Sequence, residues 1–240
     1  MTALSIYQQH CSLNNPEVQT QIEALDIPFL LEDLPQLLNS MKGGSERILG
    51  ISISLRSFSR ADSTSKVLFN IHEGIDSSLL ILRHRLKANE GKSEIKVIKD
   101  YGIFPPVECY PGQLSQVFLN ILANAIDALE ERDSGRSRDE IKANPNFITI
   151  RTFLTNETEK NFQDNSTSHV RISITDNGRG MSEEVRQRVF NYLFTTKAVG
   201  KGTGLGLSIS RSIVEEKHGG WLTCNSTPGE GTEFIIEIPT

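Results

Sequence analysis

The chain has 240 residues, of which 37% are hydrophobic and 23% charged, a balance that suits a folded core and excludes a disordered or membrane-embedded chain. Its net charge of −5 argues against a nucleic-acid surface, which needs surplus Lys and Arg to track phosphates. Cys11, Cys109 and Cys224 share no metal-ligand spacing, and no apolar run reaches membrane-span length or reads as a secretory signal, so a cytoplasmic protein is expected.

Residues 1–24 are polar and lack periodicity. Over residues 29–58, Leu31, Leu34, Leu38, Met41, Ile48, Ile51, Leu55 and Phe58 recur mainly at steps of three and four. That spacing predicts a helix with one narrow apolar seam, suited to a coiled coil or four-helix bundle. Pro35 and Gly43-Gly44 weaken it locally. The polar stretch 57–66 reads as a linker. A helix over 75–87 and a strand over 94–99 follow, then a loop punctuated by Pro105, Pro106 and Pro111. A long helix over 112–129 leads to a charged surface loop over 132–144. Strands over 147–153 and 170–175 alternate cleanly and are joined by a polar hairpin excursion. A short helix over 182–190 runs into a Gly-rich loop. The next helix, 205–216, stops at Gly219-Gly220. Strands over 221–225 and 232–239 flank a Pro228-Gly229-Glu230-Gly231 turn. The expected organisation is a helical segment over 1–62 and an α+β domain over 66–240, a two-layer sandwich with helices against one mixed sheet.

On the 112–129 helix, Gln116, Asn120, Asn124 and Asp127 are spaced by four, four and three residues and form one stripe. Asparagine is a mediocre helix former, so two of them mid-helix need a reason. Their carbonyl oxygens suit a magnesium ion already surrounded by phosphate charge; a solvated polar face fits the same stripe. The strand ending at Thr175 runs into Asp176-Asn177-Gly178-Arg179-Gly180-Met181. An aspartate there can accept from an exocyclic amine while glycines let a flat base approach the backbone, although many ordinary turns share this pattern. The loop Gly200-Lys201-Gly202-Thr203-Gly204-Leu205-Gly206-Leu207 can aim backbone amides at an anion beside a helix start. It has neither the Walker nor the dinucleotide spacing. Lys197 and Lys201 lie beside it, either to reach terminal phosphates or as solvated loop charges.

Taken in order, the stripe 116–129, the segment 176–181, Phe190 through Phe194-Thr195-Thr196-Lys197, the segment 200–209 and Gly229-Glu230-Gly231-Thr232 resemble the histidine kinase ATP-binding domain. They look like its asparagine box, three glycine boxes and phenylalanine box. The resemblance implies ATP and Mg2+ as ligands, with Asn124 on the metal and Asp176 on the adenine amino group. It implies that Asn120 lies near magnesium or phosphate, that 202–207 forms a mobile lid, and that Thr232 closes the adenine pocket through water. The implied binding set is Asn120, Asn124, Asp127, Asp176, Gly178, Gly180, Met181, Thr195, Thr196, Lys197, Gly202, Thr203, Gly204, Leu205, Gly206, Leu207 and Thr232. The helix over 31–58 resembles the second helix of a dimerisation bundle, implying a homodimer. A response regulator receiver domain is the implied partner, with no nucleic acid and no membrane segment in this chain.

The wider group that shares this nucleotide fold includes gyrase, mismatch-repair ATPases and a chaperone, which hydrolyse ATP with a glutamate four residues before the magnesium asparagine. Here that position is Asn120, which cannot remove a proton from water, so phosphoryl transfer to a positioned side chain is expected. None of His10, His72, His84, His169 and His218 sits in the family's phosphoacceptor pattern of His, acid, two residues and Asn/Thr-Pro. The first bundle helix is therefore expected to be missing from this chain, which would bind ATP without phosphorylating itself. The alternative is a catalytically incomplete ATP-binding regulatory module that pairs with full-length kinases; a gyrase-type or chaperone-type ATPase is a third reading.

Overall fold

The computed structural model describes residues 33–35, 37, 38, 41, 65–88, 93–156, 168–197 and 202–240. The chain divides into two compact units, Met1–Leu55 and Arg56–Thr240. In the first, the described residues are helical, which puts Leu34, Leu38 and Met41 of the expected seam on helical backbone. The rest of the seam and the polar segment 1–24 lie outside the described residues.

In the second unit the elements run β1 (Val67–Phe69), α1 (Ile71–Ile81), α2 (Arg83–Leu86), β2 (Ile95–Tyr101), β3 (Val107–Cys109), α3 (Pro111–Asp133) and α4 (Arg138–Ala143). They continue with β4 (Asn146–Asn156), β5 (Ser168–Asp176), α5 (Glu183–Arg188), α6 (Gly206–Ser212), a π-helical turn (Ile213–Lys217), β6 (Trp221–Thr227) and β7 (Gly231–Pro239). Five strands form one sheet in the order β2-β4-β5-β7-β6. The β2–β4 pair is parallel and the others are antiparallel, so the sheet is mixed, as the sequence predicts.

Alternation decides which face of the sheet is covered. Ile148, Ile150, Ile172, Ile174, Ile236 and Ile238 are buried, and they form one core with Leu114, Val117, Phe118, Ile121, Leu122, Ile126 and Leu129 of α3. Fully burying one such side chain stabilises the fold by about 1.5–3 kcal/mol. The intervening strand positions face outward, where Trp221 and Phe153 are exposed and Arg171 pairs with Glu237 at 2.7 Å. Helix α3 is thereby clamped along one side, and its other side is left to line a site.

Several boundaries differ from the sequence expectation for identifiable reasons. Helix α1 begins at Ile71 rather than 75 because Asn70 caps it, its side chain accepting from His72 N at 3.0 Å. The stretch 132–144, expected to be a loop, contains α4. Ser137 and Glu140 form a reciprocal capping box, with Ser137 N donating to Glu140 Oε2 at 2.7 Å. The proline-marked loop contains β3, which pairs antiparallel with β1; three-residue strands are too short to show a period. The expected 205–216 helix widens into the π-helical turn at Ile213. There the His218 Nδ1–H donates to Ile213 O at 2.8 Å while its Nε2 accepts from Tyr110 N at 3.0 Å. Burial holds the His218 pKa below its ordinary value, so the neutral ring serves as a structural bridge.

Candidate functional site

Two clusters of polar side chains form, one where β5 ends beside the start of β7 and one along the middle of α3 beside the Gly-rich segment. The first is built by strand register. Asp176, the last residue of β5, pairs with Thr232 at the start of β7, and Thr232 in turn pairs with Ser226 on β6. Asp176 is only 2% exposed. Its Oδ1 accepts from Gly178 N at 2.8 Å, and the Thr232 backbone N–H also donates to the carboxylate. Burial pushes the carboxyl up to about 6, and these two N–H groups only partly counter it.

Ser226 ties the same corner together. Its hydroxyl accepts from Met181 N at 2.9 Å, donates to Gly231 O at 2.9 Å and lies 2.9 Å from Thr232 Oγ1. Gly180 has φ 66°, and a Cβ there would run into the Thr227 carbonyl oxygen, so no larger residue fits. Sequence reasoning missed Ser226; only its register position opposite Thr232 reveals it.

The second cluster lies on the half-buried polar stripe of α3. Asn124 Oδ1 accepts from Lys197 Nζ at 3.3 Å, and the same ammonium pairs with Asp127 Oδ2. The other oxygen of Asp127 accepts from Arg85 Nη2 at 2.6 Å, and this guanidinium also reaches Glu130 at 3.1 Å. Burial works against the Arg85 charge, but Asp127 and Glu130 outweigh it and hold its pKa above the ordinary value. Arg85 was missed as well, because nothing in the pattern of α2 links it to α3. Asn120 Nδ2 donates to Gly206 O at 3.0 Å and Ser210 Oγ at 3.1 Å, which fastens α3 to the start of α6. Gln116, one turn before Asn120 on the same stripe, is buried, at 7% exposure.

The remaining expected residues border these clusters. Thr195 Oγ1 accepts from Lys197 N at 3.2 Å, and Thr203 Oγ1 accepts from Leu205 N at 3.3 Å. Gly202 comes close to Thr195 Oγ1 and Lys197, and Gly206 faces the Asn120 carboxamide. Gly204, with φ 66°, packs on the backbone of Leu193, itself a non-glycine residue at φ 60°. Leu207 packs against the core, while Thr196 and Thr203 are exposed. Lys201 lies outside the described residues.

His72 and His169, like His218, pack against named partners. His72 stacks on Tyr101 at 4.4 Å between ring centroids, and its Nε2 lies 2.8 Å from Thr152 Oγ1. His169 packs near Trp221 at 5.2 Å. The thiols Cys109 and Cys224 are buried, and that burial pushes them up to about 11 and about 12, which disfavours the thiolate.

Residues 109–240 match the family described as histidine kinase-, DNA gyrase B-, and HSP90-like ATPase, and the chain belongs to that family. Every site residue named above except Arg85 falls within the match. Among curated relatives, Sporulation kinase E of Bacillus subtilis is 38% identical over 135 residues, covering 56% of this chain and 15% of that protein. Sensor kinase CckA of Brucella abortus is 30% identical over 209 residues, covering 85% of this chain and 20% of that protein. The chain thus spans a fifth or less of the length of these relatives. A solved catalytic domain of histidine kinase ThkA superposes with a TM-score of 0.52 at 28% identity, covering 73% of this chain and 96% of that one. The domain is therefore an ATP-binding catalytic domain of the sensor histidine kinase type. Among the described residues no helix is long and apolar enough to cross a membrane.

Proposed function

We propose that this domain binds Mg-ATP, with Asn124 as the magnesium ligand and Asp176 as acceptor for the adenine amino group, and passes the γ-phosphoryl group to a histidine on another segment. Asn124 Oδ1 already accepts from an ammonium, so it is presented as a cation ligand. Among the described residues no group of three or more His, Cys, Asp and Glu could hold a metal ion. That fits an ion carried in on phosphate oxygens and anchored by a single amide oxygen. When bound, magnesium would neutralise charge developing on the phosphates. Asp176, buried and held by Gly178 N and the Thr232 N–H, has lone pairs left to accept from an amine.

The observation that carries the choice between transfer and hydrolysis is Asn120. It stands where hydrolytic relatives need a base, a carboxamide cannot take a proton from water, and its amide hydrogens are committed to Gly206 O and Ser210 Oγ. The surroundings of His72 and His218 support an acceptor supplied from elsewhere. Dimerisation through the 31–58 helix, a response regulator receiver domain as the next acceptor and a cytoplasmic location belong to the same reading. The test is to incubate the full chain with γ-labelled ATP, alone and with a separate dimerisation helix carrying a histidine. Acid-labile label on the added helix is expected, with none on the chain alone. Steady phosphate release that ignores the added helix would overturn the proposal.

A further inference from the structure

Lys197 is unusual among the site residues because its charged end already occupies the place assigned to another cation. Its Nζ contacts both Asn124 Oδ1, at 3.3 Å, and Asp127 Oδ2. Both side chains of the Lys197–Asp127 pair are largely shielded, at 25% and 28% exposure. Arg85 and Glu130 complete the group, so two cations face two carboxylates. The formal charge of this cluster sums to zero before any phosphate arrives.

We infer that the Lys197 ammonium is a built-in substitute for a divalent cation, which lets the pocket bind ATP with weak dependence on magnesium. The inference rests on the assignment of Asn124 as the metal ligand. Two effects point the same way. With metal present, Lys197 competes for the Asn124 oxygen and so lowers the advantage of the magnesium complex. With metal removed, the ammonium can exchange Asp127 for a phosphate oxygen. Asp127 is not stranded by that move, because Arg85 remains on its other oxygen at 2.6 Å. A neutral side chain at 197 loses both effects. The metal-bound form then binds relatively better and the metal-free form worse.

The discriminating quantity is the ratio of the ATP Kd in excess EDTA to the Kd in saturating magnesium. It is measured by calorimetry on the full chain and on Lys197→Met and Lys197→Arg. Wild type is expected to bind ATP measurably in EDTA. Lys197→Met should raise the ratio by about tenfold, the value of one charge-assisted hydrogen bond, and Lys197→Arg should restore much of it. An equal loss of affinity with and without metal would reduce Lys197 to a phosphate contact and overturn the inference. So would an unchanged ratio, or a wild type that binds only with magnesium. Failure of the wild type to bind ATP even with magnesium would instead remove the site assignment on which the inference stands.

Discussion

Replacing Asp176 by Asn removes one ionisable group from a corner where only 2% of the residue meets solvent. The carboxyl titrates at about 6 in the folded domain against 3.8 ordinarily. At about 1.4 kcal/mol per pH unit, that gap is worth about 3 kcal/mol of pH-dependent stability. The sign follows from proton binding. A raised carboxyl pKa means that the folded form holds the proton more tightly than the unfolded form. Its contribution is therefore fully present below 3.8 and is lost as the pH rises through about 6. Relative to Asp176→Asn, the wild type should gain stability as the pH falls from about 7 toward about 4, approaching about 3 kcal/mol. In a domain of this size that corresponds to about 6–12 °C in Tm. Denaturant unfolding of both proteins across this range gives the answer, because every other titrating group cancels in the difference. A flat difference, or one that grows toward high pH, would refute the claim that burial dominates this carboxylate. At neutral pH the same variant should lose ATP affinity, since an ionised acceptor has been exchanged for a neutral amide.

Other substitutions probe separate parts of the same frame. Gly180→Ala forces a Cβ onto the Thr227 carbonyl at a left-handed φ and should cost about 2–4 kcal/mol; an unmoved unfolding midpoint would contradict the geometry. His218→Phe leaves the Tyr110 N–H without its acceptor and removes the ring's bond to the Ile213 carbonyl, and should cost about 1–3 kcal/mol in the same assay. Asn124→Ala should weaken Mg-ATP binding by about two- to tenfold in calorimetry, with unfolding stability within about 1 kcal/mol of wild type. Equal affinity in that variant would remove Asn124 from the metal's ligand set.

How much of this was legible beforehand depends on the range of the signal. The apolar face of α3 and the alternation of β4 and β5 are local patterns, and both elements formed as read. Asp176 and Thr232 lie 56 positions apart by subtraction of their residue numbers. In the sequence only the family's order of motifs joins them, whereas in the fold a strand register does so. Ser226 and Arg85 carried no local mark at all, because their importance comes from partners on other elements. Gln116 shares the stripe's spacing with Asn120 and Asn124 yet is more deeply buried than either. Helix periodicity assigns a face, not how far along that face the cover extends. The cap at Ser137 was available as a Ser-x-x-Glu pattern, but the surrounding charges and the absence of an apolar run hid a helix of six residues.

The site's polar groups are already paired with one another, which sets the terms on which a nucleotide can enter. Asp176 is held by Gly178 N at 2.8 Å, Asn120 binds Gly206 O at 3.0 Å, and Asn124 binds Lys197 at 3.3 Å. Each contact made to a ligand therefore replaces an internal one or adds to it. The gain is then the difference between two hydrogen bonds, of about 0.5–1.5 kcal/mol, rather than the several kcal/mol of one made from nothing. Asp176 can keep its backbone donors and still accept from an amine, because a carboxylate offers about four lone-pair positions. Asn124 has less to spare: its oxygen faces an ammonium that must move before a metal ion can take its place. In the proposed binding mode the Asp176 corner thus adds a partner while the Asn124 corner must exchange one. Substitutions around Lys197, Asp127 and Arg85 should consequently tune affinity over a wider range than substitutions around Ser226 and Thr232.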